Sequence, residues 1–297
     1  MLIKKIKYQI NKFVAKFFIY IFNFLSLFYK VKNKDMKKVV SKNREYLSNI
    51  EEFLPQDEYE KVDYGIPINI YKNINKKINN SITYSDLIIY LIQKVYKTSV
   101  NYLEIGVSVM KNFMQVDNSI SNSNLWVYDI NPVVGRFSSL FNGFETEHNQ
   151  QKSKLFFSNK TQNKLTYFKG DVLNASDHKL FNKELIVNNT KFDFILSDAM
   201  HTPEGVYSEY KNLIKENLSD NFIIYYDDLD FLELFETASK IYEDLKKDFE
   251  NLNFYTFWIN GWVGQHEKMH KNGIITTYKL DDILKKEEIK LPFFKKY

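Results

Sequence analysis

The sequence of 297 residues contains no cysteine, and this absence excludes several kinds of site at once. A disulfide framework, a thiolate zinc site and a cysteine nucleophile all require cysteine. The absence also fits a reducing compartment, so we expect a cytoplasmic protein. A chain of this length can bury a sizeable core without cross-links.

The N-terminal region has no long apolar run, but it is rich in lysine. Its longest uncharged stretch, residues 17–29, has thirteen residues, whereas a membrane-spanning helix needs about 20. Residues 1–40 hold ten lysines and one aspartate, a charge of +9. Because the whole chain carries +4, residues 41–297 carry −5. A mildly acidic body does not indicate a nucleic-acid interface.

Residues 1–40 form an arm in which the spacing of polar residues predicts an amphipathic helix. Its polar stripe contains Lys12, Lys16, Tyr20, Asn23, Ser26 and Lys30. One interpretation is a helix that lies on an anionic membrane surface through residues 1–32. Another is a lid, or a dimer helix that would make the protein a homo-oligomer. A signal peptide would need a cleavage site that the sequence does not offer, and a spanning anchor is the last alternative.

The rest of the chain divides into a linker or cap, residues 41–83, and a main domain, residues 84–297. Short apolar runs predict strands, and helical stretches lie between them. The predicted strands are 100–105, 124–129, 165–168, 192–197, 221–226, 253–259 and 273–279, and the predicted helices are 86–96, 111–121, 204–216 and 230–248. This alternation predicts a Rossmann-like, doubly wound α/β fold, mostly parallel, with an antiparallel C-terminal edge.

Three predicted strands end in residues suited to a nucleotide-type cofactor. The first runs into Gly106 and then a helix, which directs backbone N–H groups at a ligand. Asp129 follows 23 residues later, where an acid usually accepts ribose hydroxyls. Asp171 follows a third apolar run and could accept the exocyclic amine of an adenine. Each signal is weak alone, and their order and spacing carry the prediction.

Three carboxylates follow two further apolar runs. Asp198 ends the first, and Asp227 and Asp228 end the second. Ligands of a parallel sheet bind just past the carboxyl ends of its strands, so these acids are expected to converge. A hard divalent cation takes oxygen ligands and can hold a substrate. Any one of these acids could be a solvated loop residue, but the set predicts a metal site.

Together these motifs resemble those of the class I S-adenosylmethionine-dependent methyltransferases. Residues 192–201, followed by Glu204-Gly205, resemble more narrowly the Mg²⁺-dependent O-methyltransferases of the catechol type and of the macrolide (macrocin) or aminocoumarin sugar type. The resemblance covers about residues 84–280. It implies transfer of a methyl group from S-adenosylmethionine to a hydroxyl of a small molecule or glycan.

The resemblance also implies roles for individual residues. The cofactor would be bound by Glu104, Gly106, Ser108, Asn112, Asp129 and Asp171. Mg²⁺ or a similar cation would be bound by Asp198, Asp227 and Asp228, with Asp198 and His201 as catalytic residues. His201 occupies the place of a basic residue in the catechol-type relatives. It is interpreted either as the general base or as the cap of the helix that starts near Thr202.

Two positions depart from the family's pattern. A second small residue, usually glycine, is expected four positions after Gly106, but this chain has Met110. Met110 would crowd the methionine part of the cofactor, or else Ser108 would be the residue of close approach. Sugar-type relatives often carry an acid, proposed as the base, two residues after the first metal ligand. Met200 stands there, so that base cannot be inferred.

A late loop, residues 261–270, combines aromatic and histidine side chains. Trp262, His266 and His270 could contact the acceptor, although ordinary loop composition explains them almost as well. A zinc site from the two histidines would need further ligands.

Two other functions remain open. Tyr207 and Lys211 have the spacing of a nicotinamide-dependent oxidoreductase. The lack of further glycines after Gly106 argues against a pyrophosphate-binding turn. The other alternative is a non-catalytic, membrane-peripheral protein that has kept the fold.

Overall fold

The structure is a computed structural model that describes residues 32–50, 82–133, 152–261 and 269–297, apart from Val109, Lys285 and Lys290. Seven residues between 6 and 17 are also described, all of them helical. Among these residues, no helix is both long enough and apolar enough to cross a membrane. The predictions for Trp262 and His266 lie outside the described residues.

Helices and strands alternate through most of the described chain. The helices with described bounds are α1 (Lys34–Ile50), α2 (Tyr84–Val95), α3 (Lys111–Ser119), α4 (Ala175–Val187), α5 (Pro203–Glu209), α6 (Leu232–Leu245) and α7 (Lys286–Ile289). The strands are β1 (Asn101–Ile105), β2 (Asn124–Asp129), β3 (Ser153–Phe157), β4 (Lys164–Lys169), β5 (Phe192–Ser197), β6 (Leu218–Tyr226), β7 (Asn253–Asn260), β8 (Met269–Thr276) and β9 (Lys295–Lys296).

The described strands form one sheet in the order β3-β4-β2-β1-β5-β6-β8-β7-β9. Strands β4, β2, β1, β5 and β6 are parallel, and β8, β7 and β9 extend the sheet antiparallel. Buried clusters cover both faces, one including residues of α2 and α3 and the other residues of α4 and α6. The Rossmann-like fold with an antiparallel C-terminal edge is therefore confirmed. Strand order reverses between β1 and β5, which is where ligands bind in such sheets.

Helix α1 joins the N-terminal part of the described chain to the main domain. Its Arg44 donates two hydrogen bonds to the buried Asp86 of α2, at 3.1 and 2.7 Å, and Asn43 donates a third at 2.7 Å. Asp86 also forms a capping box with Thr83 at the start of α2. Because α1 crosses residue 40, the predicted end of the arm lies inside one helix. Residues assigned to the linker pack on the domain core through Leu47.

Some elements differ from the sequence prediction for identifiable reasons. Strands β3 and β9 and helix α4 have no predicted counterpart. In α4, Leu180, Ile186 and Val187 are 36 %, 78 % and 75 % exposed, which obscures the apolar periodicity of a surface helix. The predicted helix 204–216 is α5 followed by a π-helical turn, Tyr210–Ile214, and a 3₁₀ turn.

The start of β8 is the difference that matters for the site. The strand begins at Met269 rather than 273, so His270 belongs to the sheet and not to the late loop. Its first residues are polar and include a glycine, which is atypical of a strand. Asn272 is nevertheless fully buried, and hydrogen bonds to neighbouring side chains satisfy its polar groups.

Candidate active site

A cavity of about 760 Å³ lies at the carboxyl ends of the central strands. Its volume falls in the range of small-molecule sites, about 300–1,000 Å³. Two groups of side chains line it. The turn end consists of Glu104, Gly106, Ser108, Asn112, Asp129 and Asp171, and the acidic end consists of Asp198, His201, Asp227, Asp228 and His270. Every residue predicted from the sequence to bind cofactor or metal, or to act in catalysis, therefore faces one cavity, while its role stays a prediction.

Gly106 connects the two ends. Its φ of 82° is left-handed, and a Cβ built there would lie 2.4 Å from Cα of Ala199 and 2.6 Å from the carbonyl oxygen of Asp198. The backbone N–H of Asp198 donates to the carbonyl of Ile105 at 2.9 Å. The chain leaving β5 thus passes directly over the turn after β1, at a distance that only glycine permits.

Asp129 holds the shape of the turn. One carboxylate oxygen accepts the backbone N–H groups of Val107 at 2.8 Å and Ser108 at 3.3 Å. The other oxygen accepts the N–H of Asn131 at 2.7 Å. Burial raises the pKa of Asp129, and these hydrogen bonds oppose the increase. Asp171 also binds its own loop, where its carboxylate accepts the N–H of Leu173 at 2.9 Å.

Glu104 and Asn112 form a buried polar pair at the floor of the turn end. Glu104 accepts hydrogen bonds from Tyr102 Oη at 2.6 Å and Asn112 Nδ2 at 2.7 Å. Burial raises the pKa of Glu104 to about 8. The Oδ1 atom of Asn112 is buried and has no hydrogen-bond partner among the described residues. A ligand with a positively charged amine would satisfy both groups.

Met110 is accommodated without entering the cavity. Its side chain is 1 % exposed, belongs to the hydrophobic core and does not line the cavity. Its backbone is left-handed, with a φ of 61°, which a glycine would adopt without strain. Ser108, also left-handed with a φ of 53°, lines the cavity instead. Met110 therefore does not narrow the cavity, whereas close approach of Ser108 to a cofactor stays a prediction.

His201 lies between two of the acids. Its Nδ1 is 3.0 Å from Oδ2 of Asp228, and its Nε2 is 3.6 Å from Oδ1 of Asp198. The contact with Asp228 raises the pKa of His201 to about 9, although burial opposes this. His201 is therefore protonated at neutral pH in this arrangement and can accept a proton only when that contact is released. Thr202 caps α5 by accepting the N–H of Gly205 at 3.1 Å, so His201 is not the cap.

Asp227 has a different set of partners. Its Oδ1 is 2.5 Å from Nε2 of His270 and accepts a hydrogen bond from Nδ2 of Asn272. Tyr225 Oη donates to Oδ1 of Asn272 at 2.6 Å. Burial favours the protonated form of Asp227, but His270, a backbone hydrogen bond at Asp228 and His201 together outweigh burial and lower the pKa of Asp227. The opposite occurs at Asp198, where burial and the nearby Asp227 raise the pKa well above its ordinary value.

One group of side chains among the described residues has the spacing of metal ligands. Asp227, Asp228 and His270 each offer a ligand atom, and these atoms all lie within 4.8 Å of one another. Two of the three predicted ligands belong to this group, but Asp198 does not. The sequence suggests His270 only as an acceptor contact or a zinc ligand, and the polar start of β8 is the signal that His270 faces a site.

Tyr84 is a second residue of the site that sequence reasoning does not identify. This first residue of α2 lines the cavity, and its ring meets His270 edge-on with centroids 6.4 Å apart. It looks like an ordinary residue of an apolar helix in the sequence. By contrast, Tyr207, proposed for the oxidoreductase, is 45 % exposed and, like Lys211, does not line this cavity.

Comparisons with known proteins give matches of structure only. No protein-family model matches the chain, and no curated protein matches its sequence. Solved structures similar to it include magnesium protoporphyrin IX methyltransferase from Synechocystis with bound S-adenosylmethionine, at 13 % identity and a TM-score of 0.44, covering 82 % of this chain and 98 % of that one.

Two other similar structures are a candidate caffeoyl-CoA O-methyltransferase from Staphylococcus aureus and an N-methyltransferase from Bradyrhizobium japonicum. The first has 15 % identity and a TM-score of 0.39, covering 79 % of this chain and 98 % of that one. The second has 13 % identity and a TM-score of 0.38, covering 71 % and 100 %. Spermidine synthases also match. Similarities with TM-scores below 0.5 do not determine the activity or the substrate of this chain.

Proposed function

We propose that the chain is a class I S-adenosylmethionine-dependent O-methyltransferase that requires a divalent cation and acts on a hydroxyl of a small molecule or glycan. The observation that carries the proposal is the single cavity that joins the turn end to the acidic end. A cofactor at one end and a hydroxyl held at the other would be adjacent, as group transfer requires.

The residues at the two ends of the cavity are suited to S-adenosylmethionine and to a divalent cation, respectively. At the turn end, the unpaired Oδ1 of Asn112 and the carboxyl group of Glu104 suit the amine of S-adenosylmethionine. At the acidic end, Asp227 and Asp228 are neighbouring oxygen donors of the kind that divalent cations bind. The Tyr207 and Lys211 pair is away from the cavity, so the oxidoreductase alternative has no support from the geometry.

The chemistry is a displacement at the methyl carbon of the sulfonium. The carbon–sulfur bond breaks, a carbon–oxygen bond forms, and the proton of the acceptor hydroxyl must be removed. A bound cation would lower the pKa of that hydroxyl and orient it. Binding of a cation by Asp228 would release its contact with His201, and His201, then neutral, is the residue proposed to take the proton.

Calorimetric titration of S-adenosylhomocysteine into the purified chain, with Mg²⁺ present, tests the cofactor. Binding at about micromolar strength, or −8 kcal/mol, is expected. Screening hydroxylated acceptors for methylation, with and without chelator, then tests the reaction. A folded protein that binds no S-adenosylhomocysteine would favour the non-catalytic alternative. Cofactor binding with methylation that survives chelation would remove the metal from the proposal.

We also propose that the N-terminal arm brings the cavity to an anionic membrane surface. Lys12 Nζ lies 2.8 Å from Asp230 and 4.2 Å from the ring centre of Phe231, just after the acids of β6. Apolar side chains on the arm are 44 % to 74 % exposed, namely Ile6, Ile10, Phe13, Val14 and Phe17. An exposed apolar face on a segment with a charge of +9 complements anionic lipid.

Sedimentation with vesicles tests this surface. We expect the full chain to bind vesicles containing phosphatidylserine and to bind phosphatidylcholine vesicles weakly. Phe13→Glu should reduce binding about tenfold, because it places a charge in the apolar face. Ser41→Glu, an equal charge change on exposed α1, is the control. Equal binding by the two variants, or a concentration-dependent dimer that Phe13→Glu dissolves, would overturn the proposal.

A further inference from the structure

We propose that Asp227, Asp228 and His270 form a mixed oxygen and nitrogen site that prefers a first-row transition metal ion, such as Mn²⁺ or Co²⁺, to Mg²⁺. The inference rests on the proposed function only in taking the acidic end as the place of a cation. It changes the donor set from three carboxylates to two carboxylates and an imidazole.

The donor atoms lie close enough together to converge on one ion once Nε2 of His270 and Oδ1 of Asp227, 2.5 Å apart in this arrangement, separate. Atoms that share an ion at bond lengths of about 2.1 Å are separated by about 3 to 4 Å. The ligand atoms of the three side chains all lie within 4.8 Å of one another. Asp198 lies outside this group, and its Oδ1 is 3.6 Å from Nε2 of His201. The all-carboxylate set predicted from the sequence is thus not the set with metal-ligand spacing.

His270 is held in position by the sheet and not by a loop. It lies in β8, opposite Ile259 of β7, and its side chain is 17 % exposed. The edge-on contact with Tyr84 fixes one side of the ring. Because alternate residues of a strand face the same side, Asn272 points to the same place and donates to Asp227. Tyr225 in turn orients Asn272.

Supported ligands of this kind are typical of built metal sites. An outer hydrogen bond fixes the orientation of a ligating carboxylate and is usually needed for full affinity. The chain Tyr225–Asn272–Asp227 provides that hydrogen bond from two different strands, β6 and β8. A surface cluster of acids would have solvent in place of these buried partners.

The donor set determines which ion is preferred. Mg²⁺ binds mainly to oxygen and retains several waters, whereas imidazole nitrogen favours transition metals. Affinities for a site with nitrogen also rise along the series from Mn²⁺ to Cu²⁺. Replacing a carboxylate by His270 in the set therefore shifts preference away from Mg²⁺. It also reduces the negative charge of the set by one.

The test uses the metal-free full chain and two ions. Mn²⁺ and Mg²⁺ are titrated calorimetrically, and electron spin echo modulation of bound Mn²⁺ reports nitrogen in its coordination sphere. We expect nitrogen modulation in the unaltered chain and in His201→Ala, and its loss in His270→Ala. His270→Ala should lower Mn²⁺ affinity about tenfold more than Mg²⁺ affinity. Selective ¹⁵N-histidine labelling should change the modulation, which assigns the nitrogen to histidine.

Several results would overturn the inference. One is bound Mn²⁺ without nitrogen modulation, and another is modulation that His201→Ala removes and His270→Ala retains. A third such result is that His270→Ala leaves the ratio of Mn²⁺ affinity to Mg²⁺ affinity unchanged. If His270→Ala does not fold, the nitrogen modulation in the unaltered chain and in His201→Ala still shows whether a histidine other than His201 binds Mn²⁺. If the unaltered chain binds S-adenosylhomocysteine but not Mn²⁺, the metal site alone is overturned. If it binds neither S-adenosylhomocysteine nor Mn²⁺, the proposed function is overturned as well.

Discussion

The two ends of the cavity are built in different ways. The turn end comes largely from one continuous stretch, β1, the turn at Gly106 and α3, fixed by the carboxylate of Asp129. The acidic end is assembled from residues after β5, after β6 and at the start of β8. One end therefore depends on local backbone geometry and the other on long-range strand pairing. Substitutions at one end, at the other end or between them measure how independent the turn end and the acidic end are of each other.

The largest effect is expected from Gly106→Ala, which should disturb both ends. The new Cβ would lie 2.4 Å from Cα of Ala199, at a backbone φ of 82°. We expect a loss of about 2–4 kcal/mol in unfolding free energy, with weaker binding of both S-adenosylhomocysteine and metal. Thermal unfolding and calorimetry measure this. Adding Ala199→Gly should not rescue the variant, because the clash is with backbone atoms; rescue would contradict the geometry.

Asp227→Asn should break the acidic end alone. The amide keeps the shape of the carboxylate but not its charge, so we expect metal affinity to fall about 100-fold or more. Affinity for S-adenosylhomocysteine should change less than about twofold, because none of the cofactor contacts proposed at the turn end involves Asp227. Asp220→Asn, an exposed position of the same strand, is the matched control. Equal losses of both ligands would mean that the two ends are a single cooperative unit.

The same contrast explains what the sequence predicts and what it does not. The motifs of the turn end are local, so Glu104, Gly106 and Asp129 can be identified from their spacing along one strand–turn–helix–strand stretch. The three acids were also predictable, because parallel strands end at one edge of the sheet. These patterns led to the Rossmann-like fold and to every residue of the cavity named from the sequence.

His270 and Tyr84 required the structure. The antiparallel pairing of β8 with β6 and β7 brings His270 to the acids, and no local pattern encodes that register. At the start of β8, His270 lines the site and Asn272 donates to Asp227, and the polarity of these residues is what hides the strand. Tyr84 reaches the cavity only because α2 packs across the sheet. Helix α1 was assigned partly to a linker, since its contact with Asp86 is also long-range.

Glu104→Gln tests the turn end through the pH dependence of the unfolding free energy. The pKa of Glu104 is about 8 in the folded chain, above its ordinary value of 4.5. Between pH 4.5 and pH 8, the folded chain therefore keeps a proton on Glu104 that the unfolded chain has lost. Unfolding free energy of the ligand-free chain should therefore fall as pH rises from about 4.5 to about 8. Glu104→Gln should lessen this slope. Glu209, with a pKa raised to about 7 by burial, adds a slope of the same sign to both proteins.

Ligand binding should show the opposite trend. An ionised Glu104 attracts the amine of the cofactor, so the affinity for S-adenosylhomocysteine should increase about tenfold between pH 7 and pH 9. The variant should show no such increase. Calorimetry at several pH values, with the ionisation of the ligand measured separately, distinguishes the two proteins. Identical pH profiles would mean that Glu104 does not contact the amine.

The smallest effects are expected from Asn272→Leu and Tyr225→Phe, which test the support of the acidic end without removing a ligand. Leucine branches at the same atom as asparagine, although it is larger, and it cannot donate to Asp227 or accept from Tyr225. Because outer hydrogen bonds orient ligating carboxylates, metal affinity should fall about tenfold while S-adenosylhomocysteine binding is unchanged. Tyr225→Phe removes only the outer contact and should cost less. A larger loss in Tyr225→Phe than in Asn272→Leu would show that the chain Tyr225–Asn272–Asp227 does not transmit the orientation, and that the acidic end is held by β6 alone.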